Sequence, residues 1–225
     1  MKPKRRVQIF VDRYPFLGPV VWILSVQYFI AQVVVAAAWP NGYSWQRNFI
    51  SDLGSTICGQ YSGRAVCSPD HTLMNSSFIL LGVTMALGSL LIYQEFRAHR
   101  ASRLGFGLMA LGGVGSTLVG LFPENVVPAL HATGAVLALL IGNISLVVLA
   151  FALKRVPLVL RCYTAVSGVF SIMMFILFTL NIRFGLGQGT LERLVSYPQT
   201  IWLIGFGLYM MRSHGMSRET ASRTL

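Results

Sequence analysis

Residues 17–38 read LGPVVWILSVQYFIAQVVVAAA, 22 positions without a charge. At 1.5 Å per residue, a helix of about 20 residues crosses a hydrocarbon core of about 30 Å. Lys2, Lys4, Arg5 and Arg6 precede the run, and VAAAW at 35–39 has small residues at cleavage spacing, as in a signal peptide. The apolar stretch of a signal peptide is only about 7–15 residues. The longer run predicts an uncleaved membrane helix.

Five more apolar runs follow, at residues 73–93, 104–122, 130–153, 156–180 and 194–211. The expected fold is all-α: six transmembrane helices in one bundle over residues 17–211. A basic segment, 1–16, precedes the bundle and a tail, 212–225, follows it. Hydrophobic residues make up 54% of the chain and charged residues 11%. A soluble domain carries about 25% charged residues, so a soluble reading is excluded. The net charge of +11 raises nucleic-acid binding. The cations sit in short segments between apolar runs, so membrane lipids are the expected partners and nucleic acid is not.

Alternate segments differ in their cations. The N-terminus, the segments near 94–103 and 154–161, and the tail hold fourteen Lys and Arg, while Arg47, Arg64, Arg183 and Arg193 are the four on the other side. The positive-inside rule places both termini in the cytoplasm of an inner-membrane protein. The acids sharpen the contrast: Asp12, Glu95 and Glu219 fall inside, whereas Asp52, Asp70, Glu124 and Glu192 fall outside. The inner cations are read as topogenic and lipid-facing.

The first outer segment, Trp39 to Thr72, is 34 residues long and rich in Trp and Tyr. Part of 43–54 is expected as a short helix on, or dipping into, the outer interface. Cys58 and Cys67 lie in this segment, where oxidation is permitted, and are expected to pair; the alternative is two free thiols. The chain has no CxxC and no Cys/His metal spacing. The many helix glycines are read as sites of close packing.

The outer ionisable residues converge on the helix mouths. Asp52 is in the loop, His71 opens the second helix, Glu124 ends the third within FPEN, His131 begins the fourth after Pro128, and Glu192 and Arg193 begin the sixth. Charges at membrane depth are costly and usually face a bundle interior. His131 suits proton transfer or metal binding. Asp52, His71 and His131 would make a zinc site with an open position. A purely structural network, with Asp52 on Arg47 and Glu192 on Arg193 or Arg183, remains open beside it.

NFISDLG at 48–54, SPDHTLMNSSFILLG at 68–82, GLFPEN at 120–125, ALHATGA around His131 and GTLERLVSYPQTIW at 189–202 together resemble a six-helix membrane family filed as domain of unknown function 998. The matching positions are Asn48, Ser51, Asp52, Gly54, Asn75, Gly82, Phe122, Pro123, Glu124, His131, Glu192, Arg193, Tyr197 and Trp202. The ISD-x-G block is distantly similar to the DRAM and FRAG type of membrane family, whose members are tied to lipid remodelling and trafficking. Lipid hydrolases of seven helices with a Ser, Asp and three-His zinc site are similar only in residue types, since this chain lacks HxxxH.

Three functions follow as expectations. The first is an enzyme working by acid–base chemistry on a lipid or prenyl-like substrate. Asp52, Glu124, His131, Glu192 and Arg193 would be catalytic, with Arg193 holding an anion. Asn48, Ser51, His71, Asn75, Tyr197 and Trp202 would bind substrate. The second is a lipid or small-molecule transporter, although no ionisable residue falls at a midplane position. The third is a non-catalytic membrane assembly component.

Overall fold

The computed structural model describes residues 13–96 and 99–223, with side chains as far as Met216. The basic residues before Arg13, Arg97, and the side chains of Arg218, Glu219 and Arg223, all counted for orientation, lie outside the described residues.

Six helices form: α1 (Leu17–Ala37), α2 (His71–Phe96), α3 (Arg100–Leu121), α4 (Pro128–Ala152), α5 (Leu158–Thr179) and α6 (Gln188–Arg223). The first five are long and apolar enough to cross a membrane, and their bounds lie within a few residues of the apolar runs. The sixth is less apolar and longer than its run. It begins at Gln188, slightly ahead of Glu192 and Arg193, which lie near its start as expected.

Each helix packs along its successor, and α6 returns to α1, closing a ring. The ring is filled by aromatic packing toward the end where α1 begins. Trp22 and Trp202 lie 5.3 Å apart, and Trp202 stacks on Phe206 at 4.8 Å. Toward the opposite end, called here the loop end, the packing opens into a cavity of about 50 Å³. Residues of α1, α2, α3, α4 and α6 line it. A π-helical turn in α4, Leu137–Ile141, contributes Ala138 and Leu139 to its wall. Such turns often mark functional positions in helices.

The long first connection closes the loop end. It contains a 3-10 turn, Ser51–Gly54, and a hairpin of β1 (Cys58–Tyr61) and β2 (Arg64–Cys67). Cys58 faces Cys67 in the register and is joined to it by a disulfide. The hairpin turn is Ser62–Gly63, both at positive φ, the geometry that suits the twist of paired strands. The 3-10 turn does not lie along the interface as a longer helix would. Asp52, Leu53 and Gly54 are buried in the mouth of the bundle.

Helix α2 meets α3 so closely at Gly82 that a Cβ there would stand 2.3 Å from the Gly113 carbonyl and 2.6 Å from the Thr117 amide. Both neighbours are backbone and cannot swing away. Gly82→Val is expected to lower stability by about 1–3 kcal/mol, read as a reduced melting temperature in detergent. Gly107→Ala, where a Cβ meets nothing within 4 Å, is expected to melt at or above the wild-type temperature. Equal melting of both variants would refute this account of the α2–α3 contact.

Candidate functional site

Backbone that is neither helix nor closed sheet needs hydrogen-bond partners at membrane depth, and the Ser51–Gly54 turn gets them from every side. From α6, Glu192 accepts from the Ile50 amide and, at 3.0 Å, from Ser51 Oγ. From α2, Asn75 donates to the Gly54 carbonyl at 2.9 Å. Ser68 Oγ donates to the Leu53 carbonyl at 2.6 Å. Asp52 folds back to accept from the Phe49 amide at 2.8 Å.

Asp52 is fully buried, and its partner is Arg64 of the hairpin, not Arg47. Arg64 Nε and Nη2 grip the carboxylate at 2.8 to 3.2 Å, and the guanidinium carbon lies 3.9 Å from the centre of the Phe49 ring. Burial alone would push the Arg64 pKa down, but the bonds to Asp52 outweigh it and the net shift is up. Arg64 was not among the sequence candidates. Its only signal is that it is a lone cation inside the short Cys58–Cys67 loop.

Glu124 approaches the same pair. Arg64 Nη2 is 3.6 Å from one of its oxygens, but that guanidinium is already committed to Asp52. The other oxygen, Oε1, is buried with no hydrogen-bond partner among the described residues. Burial, followed by the neighbouring Asp52 carboxylate, pushes Glu124 up to about 9. Asp52 and Glu124 are thus two facing carboxyls sharing one cation, and Glu124 keeps its proton at neutral pH.

His131 reaches the turn from the start of α4. Helix α3 stops at Leu121, since Pro123 bars its continuation and keeps Phe122 out of the helical region. The Phe122 carbonyl then lies 2.9 Å from His131 Nδ1. A carbonyl only accepts, so Nδ1 carries a proton, and Nε2 faces Ser51 Oγ at 3.1 Å. Glu192, Ser51 and His131 therefore form one line. Two proton placements satisfy it. In one, imidazolium Nε2 donates to Ser51, which donates to the Glu192 carboxylate. In the other, Ser51 donates to neutral Nε2 and protonated Glu192 donates to Ser51. The two differ by the passage of one proton through the hydroxyl. Ser51 and Glu192 line the apolar cavity at its loop end, with Tyr28, Phe78, Leu81 and Ser196 below them.

Other sequence candidates take different places. Arg193 serves the loop: Nη1 donates to the carbonyls of Trp45, Asn48 and Gly189 at 2.7 to 3.0 Å and Nη2 donates to Tyr43, while the buried Nε has no hydrogen-bond partner among the described residues. Its geometry is that of a clamp rather than an anion holder. Gly189 permits the approach, since a Cβ there would stand 2.1 Å from the Asn48 carbonyl. Asn48 is 3.4 Å from both Asp52 and the Ala65 carbonyl. Tyr197 donates to Gln32 Oε1 at 2.8 Å. Trp202 donates to Thr164 at 2.7 Å deep in the aromatic core, far from the turn. His71 bonds the Ser68 carbonyl at 3.0 Å through Nδ1. The expected zinc set of Asp52, His71 and His131 does not assemble. Asp52 is held by Arg64 and both His131 nitrogens are engaged. Among the described residues no group of three or more His, Cys, Asp or Glu is placed to hold a metal.

Tyr43, like Arg64, was missed. It donates to the Phe49 carbonyl at 2.7 Å, and burial raises its phenol pKa far above the ordinary value.

The Glu124 proton makes stability depend on pH. In the unfolded chain the group ionises near 4.5; in the folded chain it holds its proton to about 9. Between those values the unfolded state binds fewer protons, so the contribution of Glu124 to stability falls as pH rises. Glu124→Gln removes this term. Melting temperatures in detergent from about pH 5 to about pH 9 should decline less for the variant than for wild type. Parallel curves would show that Glu124 ionises normally.

No curated protein and no solved structure matches the chain. A family model described as a protein of unknown function (DUF998) matches residues 23–209. The matched range runs from within α1 to within α6 and takes in the turn, the hairpin, His131 and Glu192, so the chain is a multi-pass membrane protein that belongs to the DUF998 family.

Proposed function

We propose that this protein is a membrane-embedded enzyme that carries out acid–base chemistry on an amphiphilic lipid at the loop end of its bundle. The observation that carries this reading is the buried line Glu192–Ser51–His131 at the head of an apolar cavity. A hydroxyl bridging a carboxyl and an imidazole moves a proton between a donor and an acceptor, as general acid–base catalysis requires. A cavity of about 50 Å³ has room for a short stretch of hydrocarbon. A wider groove of about 660 Å³ lies between residues 39–48 and the hairpin, edged by Arg47, Asn48 and Arg64, and suits the polar head.

In this scheme Asp52, Arg64 and Arg193 are positioning residues. They hold the turn so that Ser51 meets Glu192 and His131. Asn75 fastens it from α2. Transport has less support: the cavity wall below Glu192 is uncharged, with Ser196, Gln199 and Thr200 its polar members on α6, so ion coupling through the bundle has no carrier there.

The fourteen-to-four division of cations supports a loop end outside the cytoplasm, a side on which the Cys58–Cys67 disulfide would persist. Alkaline phosphatase inserted between Ser62 and Gly63 should be active, and a fluorescent protein fused after Leu225 should fold and fluoresce. The opposite pattern would invert the orientation.

The catalytic reading is tested by the lipid profile of a deletion strain complemented with wild type, His131→Ala or Glu192→Gln, with membrane accumulation measured alongside. Wild type should restore a lipid species that neither variant restores, at equal protein level. An unchanged profile on deletion, or full restoration by both variants, would refute the enzyme.

A further inference from the structure

We propose that Ser51 is a nucleophile, activated by His131, and that the substrate class is a carboxylic ester of a lipid. This rests on the acid–base reading above and narrows it to acyl chemistry. Three observations support it.

The first is the geometry of activation. A nucleophilic serine needs a base within hydrogen-bond reach and a third group that fixes the base. Ser51 Oγ is 3.1 Å from His131 Nε2, and the Phe122 carbonyl holds Nδ1 at 2.9 Å. The carbonyl fixes the tautomer that leaves Nε2 free to take the serine proton. The order of groups differs from a Ser–His–acid triad, in which the acid lies behind the histidine. Here a backbone carbonyl takes that place, and Glu192 sits on the serine's other side.

The second is access. Ser51 is only half-buried, and its neighbours Ile50 and Glu192 line the apolar cavity with it. An acyl chain entering that cavity presents its carbonyl at the cavity's head, beside Oγ.

The third is charge. Phosphoryl transfer relies on cations to meet the charge of the transferred group. Of the two cations packed against the turn, the half-buried Arg64 grips Asp52, and the buried Arg193 gives Nη1 and Nη2 to carbonyls and Tyr43. Arg47 is exposed. A neutral acyl carbonyl fits this site better than a phosphate ester.

In the first step the Oγ–C bond forms at the acyl carbonyl and the ester C–O bond breaks. The serine proton passes to His131 Nε2 and on to the departing alkoxide, releasing the alcohol. Water then attacks the acyl-serine, gives its proton to Nε2 and from there to Ser51 Oγ, and the fatty acid leaves. Atoms and protons balance with water as the one co-reactant. Glu192, beside Ser51, is the carboxyl whose proton meets the charge that develops on oxygen.

The test is labelling by an alkyl fluorophosphonate in native membranes, followed by mapping of the adduct. The probe forms an Oγ–P bond and expels fluoride, so it reports an activated serine without a lipid substrate. Wild type should be labelled at Ser51; Ser51→Ala should not be labelled, and His131→Ala should lose at least tenfold in rate. Ser51→Cys should lose the fluorophosphonate adduct and gain one with an alkyl iodoacetamide. Membrane accumulation and melting temperature of each variant separate loss of reactivity from loss of fold. No adduct in well-folded wild type, or an adduct on Ser116 or Ser196 instead, would overturn the nucleophile. The lipid profile of His131→Ala judges the acid–base reading separately: its loss without any labelling leaves proton transfer standing and removes acyl transfer.

Discussion

Glu192 accepts a hydrogen bond from the Ile50 amide at the mouth of the bundle, and the organisation of the loop end depends on that contact. The Ser51–Gly54 turn sits among apolar helices, where an unpaired amide costs several kcal/mol. Meeting it with a carboxyl from α6 fixes the turn's depth and register. The same carboxyl receives Ser51 Oγ, which in turn sets that hydroxyl against His131. A carboxyl that looks expensive in a membrane helix is thereby made the means of holding a loop inside it.

The remaining charges obey the same constraint. A buried carboxylate such as Asp52 is tolerable only when paired and hydrogen-bonded, and removing one partner of such a pair costs about 3–5 kcal/mol. Asp52 has Arg64 on one side and the Phe49 amide on the other. The hairpin delivers Arg64, and the disulfide at the hairpin's base ties its strands together. Arg193 plays the converse part. It is a cation whose donors are used by carbonyls of residues 45–48, so the loop's irregular backbone is satisfied by α6 a second time. Glu124 arrives where the cation is already spent, and so keeps its proton.

What the sequence could reveal follows from these physics. The first five helices were legible because lipid-facing surfaces must be apolar along their whole length; their ends move by only a few residues between the apolar runs and the structure. The start of α6 was legible to within a few residues, at Glu192 against Gln188. The partners of Glu192 and Arg193 there were not legible, because the Ile50 amide and the Trp45 and Asn48 carbonyls belong to backbone some 140 residues away. Convergence of Asp52, Glu124, His131 and Glu192 on one end of the bundle was readable from charge alone. Their pairing was not. Arg47 is nearer to Asp52 in sequence, but only the hairpin turn brings a cation back over the carboxylate. His71 and His131 look equivalent as imidazoles beside helix starts, yet Ser68 engages one and Ser51 the other. Trp202 was a candidate through its motif, and the structure uses it as core.

The sixth helix also explains where chemistry ends. Glu192, Ser196, Gln199 and Thr200 recur at helical spacing on one face and line the cavity. A helix wedged between α1 and α5, with that face turned into the bundle, escapes the demand for all-round apolarity that lipid imposes, which is why it is the least apolar of the six. Polarity along the face declines with depth. A carboxyl stands at the mouth, a hydroxyl lies one turn below at Ser196, and Gln199 Nε2 then donates to the sulfurs of Met85 and Met109. Between Glu192 and Thr200 this face carries no titratable group that could pass the proton onward. Under the proposed function, a proton moved along Glu192, Ser51 and His131 stays at the loop end, where a lipid head and water would meet. The deeper cavity is left to hydrocarbon. The division between a polar, proton-handling mouth and an inert apolar shaft is what an amphiphile with a reactive group at its head–tail junction requires.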